Sequence, residues 1–367
     1  MRVMSGGDVV NENMLLARSI PGLAITVVRA GRPPSCEVVG LADLRTREAL
    51  THDSLLRWYS LTKPVVAAAV LRAAEQGRVA LDAPLAAQLR AWDGALSTRH
   101  ATVTPRELLA HAGGLRDRQL HAAAWFREPE VPRPEAAPAL TGLLRRHRRL
   151  ARRGTRYSNL GYVALGALLE QVHAAPLETL LRTELLEPWG ATRTTLGAAA
   201  EAPLARGHLR RRGSMAVLLR LLTGRRFVDG RVGKHLLMRR RELMHPAHGG
   251  LVGPIGDLGR VLHGLLTGAG TPGDTEALSS SARAQQATPF DDPSARRSEK
   301  RTLGFQFRSS APESAGDPVL FHGGRGPGFT AEMRVLPERG VAIGVVGNAD
   351  FDARAAAIEL LRAQLDG

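Results

Sequence analysis

The sequence predicts an α+β sandwich: one antiparallel sheet assembled from strands at both ends of the chain and flanked by helices, with a mainly helical segment between them. Three observations carry this expectation. Runs rich in β-branched and aliphatic residues, bounded by turn formers, stand at about Leu23–Val28 and Glu37–Gly40 and again near Leu303–Arg308, Thr330–Leu336 and Val341–Val346. From Ser60 to about Leu265 the chain carries alanine- and leucine-rich helical signals instead. The two sets of strands can bury their apolar faces only by pairing across the chain. That makes residues 1–75 and 245–367 a sheet subdomain and residues 76–244 a helical one, within a single domain spanning 1–367.

In chain order, residues 1–19 hold Asp8, Asn11, Glu12, Asn13 and Arg18, so no export signal or membrane anchor is expected there and a cytoplasmic location is. The helix after Ser60 is defined by the Ala, Leu and Val run Val65–Glu75 and stopped by Gly77. Thr104-Pro105-Arg106-Glu107 is a capping box: a cap residue, proline at the first helical position and glutamate at the third. Glu128–Pro138 and Asp291–Lys300 read as loops, Val163–Val172 as a helix, and Asp352–Leu365 as a last helix. With 367 residues and 44% hydrophobic content the chain can bury a sizeable core. Aromatic residues are only 4%, so aliphatic side chains must build most of it.

The chain owns three lysines, and one of them, Lys63, closes the tetrad Ser60-Leu61-Thr62-Lys63. Residues i and i+3 of a helix share a face, about 5–6 Å apart at Cβ, so Lys63 can reach the Ser60 hydroxyl. A serine hydroxyl is a poor nucleophile unless a base is held against it. Ser60 also falls where orphan amides and the positive end of a helix favour an anionic intermediate. Downstream, Tyr157-Ser158-Asn159 sets a phenol and a carboxamide on one side of an extended segment. A lysine cation beside Tyr157 would favour its phenolate, making it a candidate general base for Ser60 and later an acid for the leaving group. Read alone, Tyr157 can equally pack and Asn159 can equally cap the helix from Leu160. Near the C-terminus, Phe321-His322-Gly323-Gly324-Arg325-Gly326 lies between two strand-like runs, its glycines letting a backbone edge come close to a ligand.

Together these pieces resemble the serine β-lactamase and penicillin-binding-protein superfamily, on its class C, D,D-carboxypeptidase and family VIII esterase side. Further stretches in family order extend the likeness over roughly residues 20–350: Pro21–Ile25, Gly40–Asp43, Leu81–Pro84, Leu108–Leu115, Gly249-Gly250-Leu251 with Asp257-Leu258, and Gly347-Asn348. The resemblance implies a β-lactamase/transpeptidase-like fold with its site between the two subdomains. It implies Ser60 as acyl-accepting nucleophile, Lys63 and Tyr157 as its proton-handling partners, and Asn159 as a substrate-orienting amide. His322, Gly323 and Gly324 would form the third box, and the backbone amides of Ser60 and Arg325 an oxyanion hole. Where β-lactamases usually carry a lysine in that box, this chain has His322, a weaker and switchable cation. Arg325 could hold a carboxylate in its place. The implied activity is a serine hydrolase or acyltransferase working through a Ser60 acyl-enzyme on a small-molecule ester, amide or thioester, such as a biosynthetic intermediate. The alternatives are a β-lactamase, a D-amino-acid peptidase or carboxypeptidase, and a catalytically silent binding member.

Of 50 basic residues 47 are arginine, and the formal net charge is +15. The runs Arg145-Arg146-His147-Arg148-Arg149, Arg152-Arg153 and Arg210-Arg211-Arg212 read either as solvated faces or as a docking site for an acidic acyl-carrier protein. No recognition motif accompanies them, so no specific nucleic-acid partner is expected. Cys36 stands alone, which excludes an intrachain disulfide. No Cys/His spacing suggests a metal, no cofactor is expected, and His245 and His248 read as surface or loop histidines.

Overall fold

The computed structural model describes residues 20–92, 102–115, 117, 125–146, 156–199, 202–223, 226–271, 276–291, 300–311, 314 and 316–365. Its strands include β1 (Gly22–Arg29), β2 (Ser35–Asp43), β3 (Glu48–Ala49), β4 (His208–Arg210), β5 (Val228–Val232), β6 (His235–Met238), β7 (Lys300–Arg301), β8 (Gln306–Arg308), β9 (Val319–Gly326), β10 (Phe329–Leu336) and β11 (Val341–Gly347). Its helices include α1 (Thr62–Glu75), α2 (Pro105–Leu109), α3 (Ala136–Arg146), α4 (Asn159–His173), α5 (Ser214–Thr223), α6 (Ile255–Thr267), α7 (Ser280–Ala287) and α8 (Ala353–Leu365). Eight strands form one antiparallel sheet in the order β7-β8-β9-β10-β11-β1-β2-β3. The two ends of the chain meet in its middle, where β1 runs against β11 with Leu23 opposite Gly347 and Arg29 opposite Val341.

The period-2 alternation of these strands feeds two cores. Ala24, Val28, Ala331, Met333, Ala342 and Val346 face a large core shared with α1, α4 and α6. Leu23, Ile25, Phe321, Ile343 and Val345 face the opposite core, closed by Ala356, Ala357 and Leu360 of α8. Helix α1 is buried almost throughout, from Thr62 to Leu71 and at Ala73, which is why its sequence is small and aliphatic rather than amphipathic. Thr104 caps α2 as expected: its side chain accepts from Glu107 N at 3.2 Å while the Glu107 carboxylate accepts from Thr104 N at 3.0 Å.

Short strands at Phe126–Arg127, Thr195–Leu196, Glu242–Leu243 and Leu251–Gly253 also interrupt the expected helical stretch, and two larger departures from the sequence reading stand out. The glycine-rich third box is not a connection between strands but part of one, because β9 continues through Gly326 and pairs with β10 along its length, Gly326 opposite Phe329. Glycine is a poor strand former, so sequence pattern hides a strand that its neighbour imposes. Within the expected helical region, residues 208–238 instead build a separate three-stranded sheet, β4-β6-β5, with α5 inserted. Its hairpin turns at Gly233, φ +53°, and β5 alternates half-buried Val228, Gly230 and Val232 with exposed Asp229 and Arg231.

One buried side chain fastens these parts. Asn348, just past β11, accepts from Gly22 N at 2.8 Å and donates through Nδ2 to the carbonyls of Leu41 and Ala42, each at 3.0 Å. Its own carbonyl accepts from the backbone N and the Nδ1 of His208, both at 3.0 Å. An Asn348→Ala change strands a buried amide and two buried carbonyls, and we expect it to lower unfolding stability by about 3 kcal/mol, read as a shift in the urea midpoint.

Candidate active site

The turn that presents Ser60 is held from outside. Trp58 is fully buried, donating Nε1 to Gly253 O at 3.2 Å and its backbone N to Leu251 O at 3.1 Å. Tyr59 then adopts φ +47°, a left-handed conformation that costs a residue with a Cβ roughly 1–2 kcal/mol. Thr62 locks it, its Oγ1 donating to Tyr59 O at 2.7 Å and accepting from Leu251 N at 3.0 Å. Ser60 emerges half-buried in a 3-10 turn leading into α1, between buried neighbours.

Lys63, one turn on, is fully buried. Its Nζ lies 3.0 Å from Ser60 Oγ, donates to Asn159 Oδ1 at 2.8 Å, and donates to the backbone carbonyl of His248. Burial drives its pKa well below that of a free lysine, against a smaller upward pull from Asp117. Burial therefore favours the neutral amine over the ammonium ion. In that neutral form the two carbonyl oxygens, which can only accept, take its two N–H bonds and leave the lone pair for the proton of Ser60.

Tyr157 lies on the other side of the hydroxyl, its Oη donating to Ser60 Oγ at 2.8 Å. Burial raises its pKa above that of free tyrosine, outweighing the hydrogen bond with Ser60. This reverses the phenolate expected from the sequence: burial outweighs the pull of neighbouring cations, so Tyr157 stays a phenol. The ring packs on His111, centroids 4.5 Å apart, and His111 Nδ1 accepts from Ser158 N at 3.1 Å. Asn159 opens α4, and the cap is Ser158, whose Oγ accepts from Gly161 N at 3.1 Å. Asp117 adds a carboxylate to that terminus, accepting from Asn159 N at 2.7 Å and Leu160 N at 3.0 Å. All three tyrosines of the chain border this site, Tyr162 lying 5.4 Å beneath Lys63 Nζ.

The third wall is β9. It pairs with β8 only as far as Phe321, and the stretch beyond packs against the Trp58–Ser60 turn. A Cβ at Gly324 would sit 2.2 Å from Trp58 O, and one at Gly326 would sit 2.2 Å from the Tyr59 ring, so only glycine admits this approach. His322, on the same face, is buried 6.0 Å from the Tyr157 ring. Its Nδ1 donates to Gly323 O at 2.9 Å, which leaves Nε2 unprotonated. Burial is the main cause of a pKa lowered to about 3, so it is neutral rather than the weak cation the sequence suggested. Gly323 and Arg325 face the other side of the sheet: a Cβ at Gly323 would approach Glu332 Oε2 at 3.0 Å, and the Arg325 guanidinium pairs with Asp350. The Arg325 side chain, expected to hold a carboxylate of the substrate, is instead engaged with Asp350. Arg301, which the sequence reading passed over, places its guanidinium 5.9 Å from the centroid of the Tyr157 ring.

His245 and His248 are buried against Trp125 rather than on the surface. Among the described residues no cluster of His, Cys, Asp and Glu could hold a metal ion, and no helix is long and apolar enough to cross a membrane. A cavity of about 210 Å³ lies behind Tyr59, bounded by Arg57, Arg206, Met238, Arg240 and Phe329. The basic run at 147–155 lies outside the described residues.

The family model described as Beta-lactamase matches residues 10–366. An esterase, EstB of Burkholderia gladioli, is 37% identical over 109 residues, a match covering 29% of this chain and 28% of the esterase. Among solved structures, an octameric penicillin-binding protein homologue from Pyrococcus abyssi aligns with a TM-score of 0.76 at 19% identity, over 99% of this chain and 78% of that one. D-amino acid amidase from Ochrobactrum anthropi aligns at 0.75 and 20% identity over 96% of both chains. A class C β-lactamase from Rhodobacter sphaeroides aligns at 0.70 and 19% identity, over 97% of this chain and 96% of that one.

The site yields two expected outcomes. Gly324→Ala forces the Ser60 turn away from β9, and a displacement near 1 Å typically costs about 10² in rate. Fluorophosphonate labelling of Ser60, followed by intact mass, should slow by about that factor, while Gly142→Ala, whose Cβ meets nothing within 4 Å, should not change it. His322 stays neutral in the folded chain down to about pH 3, whereas the unfolded chain protonates it near the ordinary histidine pKa of 6.5. Between those pH values the unfolded state binds more protons, so the stability this burial contributes is full above pH 6.5 and is lost as pH falls. Urea titrations at pH 7 and pH 4 should show wild type losing on the order of 3 kcal/mol more than His322→Asn.

Proposed function

The chain belongs to the beta-lactamase family, and on that premise we propose that it is a serine hydrolase that works through a Ser60 acyl-enzyme on small esters, amides or thioesters. One observation carries the reading: a buried amine held between two carbonyl oxygens and 3.0 Å from a serine hydroxyl, where burial favours its neutral, proton-accepting form. Ser60 Oγ attacks the acyl carbonyl as its proton passes to Lys63 Nζ. The tetrahedral oxyanion is received by the backbone amides of Ser60 and Arg325. Tyr157, already hydrogen-bonded to the reacting oxygen, donates its phenolic proton to the leaving group as the acyl bond breaks and regains one from Lys63. Water, or an alcohol or amine in a transferase reaction, then attacks the acyl-enzyme by the reverse proton path.

Esters and amides are favoured over β-lactams on charge. His322 is neutral and Arg325 is tied to Asp350, so neither supplies the third-box cation that would hold a β-lactam carboxylate. Asn159, whose oxygen is committed to Lys63, keeps its amide N–H bonds for a substrate carbonyl. Incubation with a p-nitrophenyl ester, a cephalosporin and a fluorophosphonate, read by intact mass and by turnover, tests the proposal. Adducts on wild type, their loss in Ser60→Ala, and a fall of at least about 10³-fold in ester turnover in Lys63→Ala are expected. Wild-type rates in Lys63→Ala, or faster turnover of the cephalosporin than of the ester, would overturn it.

A further inference from the structure

Residues 208–241, which supply β4, β5, β6 and α5, hold eleven arginine and lysine side chains against one carboxylate, Asp229. This stretch alone is at +10, against +15 for the whole chain. Asp229 is already engaged, accepting from Arg45 at 3.2 Å and Arg206 at 2.8 Å. Arg210, Arg211, Arg212, Arg226, Arg231 and Arg239 are exposed.

Helix α5 sits within this charge and reads Ser-Met-Ala-Val-Leu-Leu-Arg-Leu-Leu-Thr, apolar nearly all round. Helices of that kind are ordinarily buried. Its inner side is: Ala216, with Met215 and Leu219, packs on Leu209, Phe227, Leu236 and Met238. Val217 and Leu221, four residues apart on the outer side, are 49% and 79% exposed. Among the described side chains they are two of the three large apolar ones that are substantially exposed, the third being Val131. In sequence the helix begins directly after Arg210-Arg211-Arg212-Gly213 and ends before Gly224-Arg225-Arg226, so arginines bracket the apolar ridge at both ends.

We propose that this face docks on an anionic lipid membrane, with Val217 and Leu221 entering the acyl layer and the bracketing guanidiniums meeting lipid phosphates. The charge fits: guanidinium pairs bidentately with phosphate, and basic side chains around an apolar helix are what a negatively charged bilayer surface attracts. The shape favours lipid over a protein partner. A leucine that projects this far suits a deformable acyl layer, whereas a protein would have to offer a matching socket. The docking is peripheral and independent of the chemistry proposed at Ser60.

Flotation of the full chain with phosphatidylcholine vesicles, with and without phosphatidylglycerol, at low and high salt, tests it. We expect retention on the phosphatidylglycerol vesicles, at least about tenfold weaker retention on phosphatidylcholine alone, and release at high salt. Val217→Asp combined with Leu221→Asp, and separately Arg210, Arg211 and Arg212 all changed to Ser, should each reduce retention about tenfold or more. Both variants should keep wild-type fluorophosphonate labelling of Ser60, which certifies that they are folded. Equal retention on both vesicle types, no retention, or retention unchanged in both variants would overturn the proposal. So would binding to an acidic carrier protein without retention on vesicles.

Discussion

The amine of Lys63 is the constraint on which the rest of the site depends. It is fully buried, and its three oxygen neighbours come from three separate pieces of chain: the Ser60 turn, the start of α4, and the segment ending at His248. An ammonium ion taken out of water into such a place is costly unless it meets a counter-ion. Asp117 is the carboxylate that acts on it, yet that carboxylate is occupied with the backbone amides of Asn159 and Leu160. Burial favours the neutral form, in which hydrogen bonding at this point is directional. Two carbonyls fix which way the lone pair points, so folding itself sets the base against the hydroxyl.

The protonation states of the other groups follow. A phenolate at Tyr157 would need neighbouring cations to outweigh burial; burial is the larger effect even with Arg301 beside the ring, so the phenol keeps its proton. His322 is also kept neutral by burial, so the groups nearest Ser60 form a largely uncharged set that can pass protons without separating charge in a dry space. Geometry is fixed from the opposite side by the absence of side chains. Gly324 and Gly326 let β9 close on Trp58 and Tyr59, and the strained φ of Tyr59 persists because Thr62 and Pro327 both hold it.

Much of this was legible in the sequence, and the exceptions share a physical cause. The outer strands were readable because β-branched runs with period-2 burial advertise themselves, and the Ser60–Lys63 spacing was readable because helix geometry fixes it. β9 was hidden because its glycines answer to Trp58 and Tyr59, contacts more than 260 positions away in sequence. The 208–238 sheet was hidden because its strands are short and are interrupted by an apolar helix and flanking arginine runs. His111 and Asp117 act through the backbone of Ser158, Asn159 and Leu160, and no spacing rule connects them to it. Tyr157's charge state could not be read at all, since it turns on how deeply its neighbour is buried.

The arginine-rich sheet is separate from the main sheet but not loosely hung. His208 begins it, and the ring of His208 is used at both nitrogens: Nδ1 donates to Asn348 O at 3.0 Å, and Nε2 accepts from Leu44 N at 3.3 Å. That pattern requires the neutral imidazole, in keeping with a pKa lowered to about 4 mainly by burial. The side chain of Asn348 ties β1 to the end of β2 while its carbonyl ties down His208. One joint therefore closes the central sheet and anchors the root of the basic one. At that same root Met238, whose backbone N donates to Gly207 O at 2.9 Å, lines the cavity behind Tyr59 together with Arg240 just beyond the strand, so the charged face is built onto the same frame that presents Ser60.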